Sequence, residues 1–357
     1  MNHLYSVRNR LVRMSLPALA LIALAGCQTA RRADSPRVDP ASLKAFAPIP
    51  DAMEAQANAI TGEKVALGRM LYYEPRLSRG QDVSCNSCHP LDHYGADGNA
   101  TSEGYKHAHG QRNSPTVYNA AGHVAQFWDG RAADVEAQAK GPVMNPVEMA
   151  MPSEDAVLTV LRSIPEYAQA FHTAYPEDPD PLTFDNMAKA IAAFERKLVT
   201  PGRWDKFLRG DDAALTAEEK AGFNAFMDAG CNTCHAGTYV GGNIYQKLGI
   251  AEPWPDASDA GRYQVTKNEA DRLVFKVPSL RNVAKTGPYF HNGKVESLEQ
   301  AVARMAQHQL GKTLSDTQVK SIATFLSALT GDIPAQYIGP PALPKSTAKT
   351  PRPDNSD

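Results

Sequence analysis

The chain of 357 residues has 43% hydrophobic and 21% charged side chains, a composition typical of a globular protein long enough for two domains. Its formal net charge of −2 at pH 7 argues against a nucleic-acid-binding protein, which normally carries a strong excess of Lys and Arg. Four of its five cysteines fall in two short motifs described below, and the fifth is Cys27.

The first 26 residues have the layout of a bacterial export signal. Basic residues precede an apolar run at residues 16–25 that is too short to span a bilayer. The run ends in Leu-Ala-Gly before Cys27, which resembles a lipobox, and an ordinary signal followed by a chance cysteine is the alternative. We therefore predict a lipoprotein-type signal at 1–26, a lipid anchor on Cys27 that holds the protein on a bacterial membrane facing the periplasm, and a tether at 27–45.

Helical periodicity dominates residues 46–202, which we assign to a first domain that ends at Thr200-Pro201-Gly202. Three amphipathic helices are predicted there: residues 61–73, a helix capped by Ser153, and residues 184–198. Residues 90–110 are rich in Gly, Asp, Asn and His without any period, and they predict a long surface loop of the functional kind.

A second domain is predicted at residues 203–335. Three helices are expected to begin at capping boxes, in which a Ser or Thr is followed three residues later by Glu or Gln: Thr216, Ser297 and Ser315. Gly331 is the predicted C-terminal stop of the last of these helices. The Pro-rich tail at 336–357 is predicted to be disordered or to form a strap along the surface.

Each half contains one Cys-x-x-Cys-His motif: Cys85-Asn86-Ser87-Cys88-His89 and Cys231-Asn232-Thr233-Cys234-His235. This spacing is the attachment signature of a c-type haem, in which two thiols bond to the porphyrin and the adjoining imidazole ligates iron. Zinc binding is the alternative, because Cys and His also ligate zinc. No alternation long enough for a large sheet is present. The sequence therefore predicts a mainly α fold, with two cytochrome c-like haem domains packed around a domain junction.

From about Ala45 to Ile333 the chain resembles the bacterial di-haem cytochrome c peroxidases, within the superfamily that includes the methylamine-utilisation di-haem maturation enzyme. Besides the first haem motif, the resemblance rests on four motifs in the expected order: Arg112-Asn113-Ser114-Pro115-Thr116, Gln126-Phe127-Trp128-Asp129-Gly130-Arg131, Gly141-Pro142 with Pro146-Val147-Glu148-Met149, and Pro278-Ser279-Leu280-Arg281-Asn282. It implies reduction of hydrogen peroxide to water with electrons from a small periplasmic or membrane-associated donor. It also implies that electrons enter at the C-terminal haem and pass to the N-terminal haem, and that the protein forms a symmetric homodimer.

The resemblance gives roles to four residues at the N-terminal haem. His89 ligates the iron, Glu148 is the catalytic acid-base, and Gln138 hydrogen-bonds the bound peroxide. Trp128 lies between the two haems, where an indole shortens the distance for electron tunnelling. Taken without the motifs, Trp128 would be an ordinary core residue and Glu148 an ordinary surface carboxylate.

At the C-terminal haem the resemblance implies His235 and Met305 as the two iron ligands, and a thioether ligand raises the haem potential. Helical periodicity alone would make Met305 a core residue. The resemblance also implies a calcium site with an all-oxygen shell from the Asn113 side chain and the backbone carbonyls of Thr286 and Pro288.

The sequence departs from the family in the loop before Arg112, where Tyr105 stands in place of the histidine that caps the peroxidatic iron at rest. Three alternatives stay open: an iron without a protein cap, which we favour, a cap from His107 or His109, or ligation by Tyr105. His107 and His109 could equally be exposed loop residues. The competing functions are a di-haem electron-transfer protein without turnover and a maturation-type oxidase acting on a protein or organic substrate, a branch in which a tyrosine replaces Met305.

Overall fold

A computed structural model of the chain describes residues 36–356. The predicted signal peptide, the first part of the tether and the predicted anchor Cys27 lie outside the described residues. Among the described residues no helix combines the length and the apolar character needed to cross a bilayer.

The described chain is mainly helical, as the sequence predicts. Its helices, in chain order, are α1 Pro40–Leu43, α2 Gly62–Tyr72, α3 Cys85–Cys88, α4 Val135–Met144, α5 Glu154–Arg162, α6 Pro165–Ala174, α7 Phe184–Glu195, α8 Arg203–Leu208, α9 Ala217–Ala229, α10 Tyr263–Thr266, α11 Leu298–Leu310, α12 Asp316–Ala328 and α13 Ala335–Ile338. The strands β1 Tyr245–Lys247 and β2 Val274–Lys276 form one short antiparallel ladder, with Gln246 opposite Phe275. Most of residues 90–110 is irregular, apart from short 3-10 turns, as predicted for the long loop.

Side-chain caps fix where the predicted helices begin. Thr61 and Ser153 accept hydrogen bonds from the third residue beyond them, at the starts of α2 and α5. Thr216 and Ser315 form complete, reciprocal capping boxes at the starts of α9 and α12, so these predictions are confirmed.

Two of the predicted helix ends, and one capping box, are wrong in detail. Helix α7 ends at Glu195 rather than near residue 198. Helix α12 ends at Ala328, and Gly331 instead pairs with Gly202, where an added Cβ on Gly331 would lie 1.9 Å from the Thr200 carbonyl oxygen. Ser297 caps α11 with its hydroxyl, but the return bond from Gln300 is not formed.

Three hydrophobic clusters form the core of the described residues, two large ones and a small one of Ile49, Met53 and Val199. The first gathers buried residues between positions 67 and 198, together with Ile338. The second gathers Phe46 and buried residues between positions 204 and 329. Apart from Ile338 and Phe46, the two large clusters fall on either side of the predicted boundary at 202/203, and the division into two haem domains stays a prediction.

Buried polar contacts join segments on either side of that boundary. Arg281, from the Pro278–Asn282 motif, pairs with Asp205 at 2.9 Å, and both side chains are almost completely buried. Asp205 also accepts bonds from the backbone amides of Ile49 and Gly202, each at 2.8 Å. The carboxylate is therefore fully used, which is the condition under which a buried ion pair is tolerated.

Candidate haem-binding cavities

The first haem motif lies in the wall of a cavity of about 1220 Å³, counted with its open mouth. Cys85 and Cys88 begin and end the single turn of α3, where Ser87 Oγ accepts a bond from Ser84 N at 3.0 Å. Their spacing of three residues places both thiols on one face of the turn, and both line the cavity with His89.

His89 is held by contacts of both its ring and its backbone. Its Nδ1 is 3.2 Å from the carbonyl oxygen of Gly95, and its own carbonyl accepts a bond from the Tyr72 hydroxyl at 2.7 Å. Donation from Nδ1 to a carbonyl leaves Nε2 as the free ligating nitrogen. Burial lowers the pKa of His89, which favours the neutral imidazole that binds metals.

Glu148 and Gln138 line the same cavity as His89. Helix α4 carries Gln138, and the turn after α4 carries Glu148, whose Oε1 accepts a bond from Asn145 Nδ2 at 2.6 Å. Burial raises the pKa of Glu148, while the Arg131 charge and the Asn145 amide lower it in part. A carboxyl group whose pKa lies above the usual range is suited to proton transfer near neutral pH.

Trp128 lines both this cavity and a second one. Its indole Nε1 donates to the Asn113 carbonyl at 2.9 Å, and its own carbonyl accepts a bond from Lys276 N at 2.8 Å. The indole is thus fixed between the two predicted haem sites.

The second cavity, of about 1100 Å³ with its mouth, contains the other haem motif. Cys231 follows α9 directly, after Gly230 at φ 90°, and it lines the cavity with Cys234 and His235. Met305, on α11, lines the same cavity. The remaining wall is mostly apolar, with Phe226, Leu248, Val277, Leu298, Val302 and Leu326 among its residues.

Both cavities suit a covalently attached haem. The four motif cysteines form no disulfide, so each cavity offers two thiols and the imidazole of the adjoining histidine, and His291 also lines the second cavity. His235 Nδ1 is buried and makes no hydrogen bond, although the backbone carbonyls of Val240 and Pro278 partly oppose the lowering of the pKa of this imidazole. Burial lowers the pKa of His235 to about 4, so the neutral imidazole dominates. A buried, neutral imidazole beside two thiols fits a ligand of haem iron.

The predicted calcium residues make other contacts. Asn113 Nδ2 donates to the Asn99 carbonyl at 2.9 Å, which leaves its amide oxygen as the atom suited to a cation. Within residues 36–356 no group of three or more His, Cys, Asp or Glu side chains could hold a metal ion, and the predicted amide and carbonyl site would not be such a group. The calcium site, with Asn113, Thr286 and Pro288, stays a prediction.

None of the three candidate capping residues lines the first cavity. The Tyr105 hydroxyl donates to the Asp354 carbonyl at 2.7 Å. The His107 side chain is 86% exposed and pairs with Glu103 at 2.5 Å. His109 Nδ1 lies 3.2 Å from the Thr101 carbonyl oxygen.

Two residues in the wall of the first cavity had no role in the sequence-based prediction. Arg131 stacks on the Phe127 ring, with Cζ 3.4 Å from the ring centroid. Glu195 ends α7, four residues after Ile191, and both face the cavity. Burial, reinforced by the charge of Glu136, raises the pKa of Glu195 to about 8. An acidic residue on the apolar face of a helix was the available signal for Glu195.

Known proteins resemble the chain over most of its length. Residues 62–213 match the family described as di-haem cytochrome c peroxidase. Over 316 residues the chain is 48% identical to the cytochrome c551 peroxidase of Pseudomonas aeruginosa, a match that covers 86% of this chain and 90% of that protein. The chain belongs to the di-haem cytochrome c peroxidase family. It is an enzyme of the cytochrome c peroxidase type, and the family implies two c-type haems.

Other members extend the comparison. The cytochrome c551 peroxidase of Nitrosomonas europaea is 48% identical over 288 residues, which are 80% of this chain and 85% of that protein. The methylamine utilization protein MauG of Methylorubrum extorquens is 37% identical over 287 residues, 79% of each chain. Among solved structures, a MauG-like protein associated with microbial copper homeostasis matches with a TM-score of 0.72 and 26% identity, covering 82% of this chain and 97% of that one. The mainly helical fold is therefore shared with the family.

Proposed function

We propose that this peroxidase reduces hydrogen peroxide to water in the N-terminal cavity, with electrons that a small c-type cytochrome delivers at the C-terminal cavity. The observation that carries the proposal is the asymmetry of the two cavities. Glu148 and Gln138 line only the first, Met305 lines only the second, and Trp128 lines both. Side chains suited to proton transfer therefore line one cavity, a candidate ligand for an electron-storing haem lines the other, and Trp128 lies between them.

The reaction consumes one hydrogen peroxide, two electrons and two protons and gives two waters. When bound, the haems supply the redox-active iron that stores electrons and, at the N-terminal site, takes up peroxide. The Glu148 carboxylate would accept a proton from one peroxide oxygen and return it to the other, which leaves as water when the bond between them breaks; the remaining oxygen becomes the second water after uptake of the two electrons and two protons. The Gln138 amide would donate a hydrogen bond to the peroxide, and His89 would ligate the iron.

The predicted ligand types support the proposed direction of electron flow. Met305 and His235 would give the C-terminal haem a thioether and an imidazole, a pair that raises the potential and suits the haem that first accepts an electron. The Trp128 indole then bridges to the N-terminal site. A tyrosine in place of Met305 would instead favour the maturation-type oxidase.

An N-terminal site that is open in the resting enzyme is part of the proposal. The side chains of Tyr105, His107 and His109 all make their contacts outside the cavity, which supports a haem without a protein cap. Peroxide would then reach the N-terminal site without a protein ligand having to be released first.

The cellular setting is also proposed. The signal layout and Cys27 support a protein anchored by lipid to a membrane and facing the periplasm. The family resemblance supports a calcium ion held by Asn113, Thr286 and Pro288, and a homodimer.

Peroxide-dependent oxidation of a reduced small c-type cytochrome by the purified holoenzyme tests the proposal. Two cytochromes should be oxidised per peroxide. Glu148→Gln should lower turnover by about 10²–10⁴, the usual contribution of an acid-base group. The matched control is Glu54→Gln, since Glu54 is an exposed carboxylate outside both cavities. Cytochrome that stays reduced, or a Glu148→Gln variant with unchanged turnover, would contradict the proposed chemistry.

A further inference from the structure

The C-terminal segment at residues 339–356, here called the C-terminal strap, follows α13 and lies along the surface of the N-terminal half. Hydrogen bonds between residues distant in sequence join the strap to that half. Arg69 donates to the Gly339 carbonyl, and Arg76 donates to the Pro344 carbonyl at 2.8 Å and to Ser346 Oγ at 3.0 Å. Further along, Thr347 Oγ1 donates to the Ser163 carbonyl at 2.9 Å, and Gln81 Nε2 donates to the Pro351 carbonyl at 2.8 Å. The predicted choice between a disordered tail and a surface strap is thus decided in favour of the strap.

The strap ends in a set of contacts centred on Asp354. Its amide donates to the Arg79 carbonyl at 2.9 Å, and its carboxylate pairs with the Arg79 guanidinium at 2.7 Å. Its carbonyl accepts the Tyr105 hydroxyl at 2.7 Å. One residue of the strap therefore holds both Arg79 and Tyr105.

Arg79 and Tyr105 each hold the backbone of the segment that carries Glu148. The Tyr105 amide donates to the Glu148 carbonyl at 2.7 Å, and the Arg79 amide donates to the Met149 carbonyl at 2.8 Å. The Arg79 guanidinium also lies over the Tyr105 ring, with Cζ 5.5 Å from the centroid. Contacts thus run from the strap through Arg79 and Tyr105 to the backbone of the segment that carries Glu148.

The loop at residues 104–109 has a backbone that needs external support. Lys106 and His107 are consecutive non-glycine residues with φ of 53° and 61°. Such left-handed conformations are unfavourable for residues with a Cβ, and they persist where the surroundings impose them. The loop also packs closely against the Glu148 segment, because a Cβ on Gly104 would lie 2.3 Å from the Val147 carbonyl oxygen.

We propose that Asp354, Arg79 and Tyr105 are positioning residues, through which the C-terminal strap fixes the Glu148 segment and keeps the loop at 104–109 clear of the N-terminal cavity. This inference rests on the proposed function, since it explains how the peroxide site stays open at rest. Without the end of the strap, the Tyr105 hydroxyl loses its partner and the loop is free to bring a ligand to the iron.

The contacts of the Asp354 backbone matter more here than its charge. Its carboxylate and the Arg79 side chain are partly exposed, and exposed ion pairs add little to stability. A substitution at Asp354 would leave both backbone contacts in place. Truncation is the sharper test, and a chain ending at Pro351 keeps every upstream contact named above.

The experiment compares the full-length holoenzyme with the holoenzyme ending at Pro351. Hydrogen exchange followed by mass spectrometry should show the amides of Arg79 and Tyr105 exchanging about fivefold to tenfold faster in the truncated enzyme, the effect of losing one ordinary hydrogen bond. The spectrum of the oxidised enzyme should lose high-spin intensity from the N-terminal haem as a loop ligand is captured. Lys349→Ala, a change at an exposed strap residue with no described side-chain contact, should alter neither quantity.

Exchange rates or a spin state that truncation leaves unchanged would overturn the proposal. Peroxide turnover is measured separately on the full-length enzyme. A failure there would count against the proposed function, whereas the exchange experiment tests the strap whether or not peroxide is consumed.

Discussion

The proposed proton transfer between the two peroxide oxygens depends on the carboxyl group of Glu148. To take the first proton from peroxide it must be ionised, so activity should fall as the pH drops through its pKa. Burial raises that pKa above the usual value of about 4.3, and the nearby Arg131 charge partly opposes the shift.

Arg131→Gln removes this opposing charge, so the pKa of Glu148 should rise further. We therefore expect the acid limb of the pH profile of kcat/KM to move to higher pH. Arg272→Gln serves as the control, because Arg272 pairs with Glu269 on the surface and does not line the cavity. An acid limb that stays in place, or moves to lower pH, would show that Glu148 is not the group that titrates.

Met305 is predicted to ligate the C-terminal iron through its thioether. Met305→His would give bis-imidazole coordination and should lower the potential of that haem by an amount on the order of 0.1 V, within the roughly 0.8 V range that axial ligands set. Spectroelectrochemical titration measures it. Met151→Leu, a change in the first hydrophobic cluster that nearly conserves volume, should leave the potential in place. A potential that Met305→His does not move would remove Met305 from the coordination sphere.

At the scale of elements, the junction between the two halves depends on Arg281 and the first turn of α8. Asp205→Ala leaves the Arg281 charge buried without its partner, so the free energy of unfolding should fall by about 3–5 kcal/mol. Glu269→Ala breaks a surface pair with Arg272 in which both side chains are exposed, and it should leave the free energy of unfolding nearly unchanged. Urea denaturation of the two variants gives the comparison, and equal losses would contradict the structural role of Asp205.

Local signals predicted the helix starts well because a cap acts within one turn of chain. Thr216 and Ser315 carry their own partners three residues away. Helix ends were less accurate because tertiary packing decides them, as where Gly331 meets Gly202 instead of ending α12. The strap could not be foreseen as a set of contacts, since Tyr105 and Asp354 lie 249 residues apart.

At the scale of the whole molecule, the two haem motifs and Met305 could be located from sequence because spacing or family resemblance marks them. The position of Trp128 between the two cavities was implied by the family resemblance alone, because no local pattern shows how the two halves meet. Arg131 and Glu195 received no role from the sequence. Arg131 ends a quoted motif and Glu195 lies in none, and each becomes a site residue through its position in the cavity wall.

The central claim is that the N-terminal site is open at rest and reacts with peroxide using electrons stored at the C-terminal site. EPR of the holoenzyme, fully oxidised and half-reduced, before and after addition of peroxide, tests it most directly. The account predicts a high-spin ferric signal from the N-terminal haem in the oxidised enzyme, and reoxidation of the half-reduced enzyme with consumption of peroxide. A purely low-spin oxidised spectrum, with peroxide left unconsumed in both redox states, would contradict it.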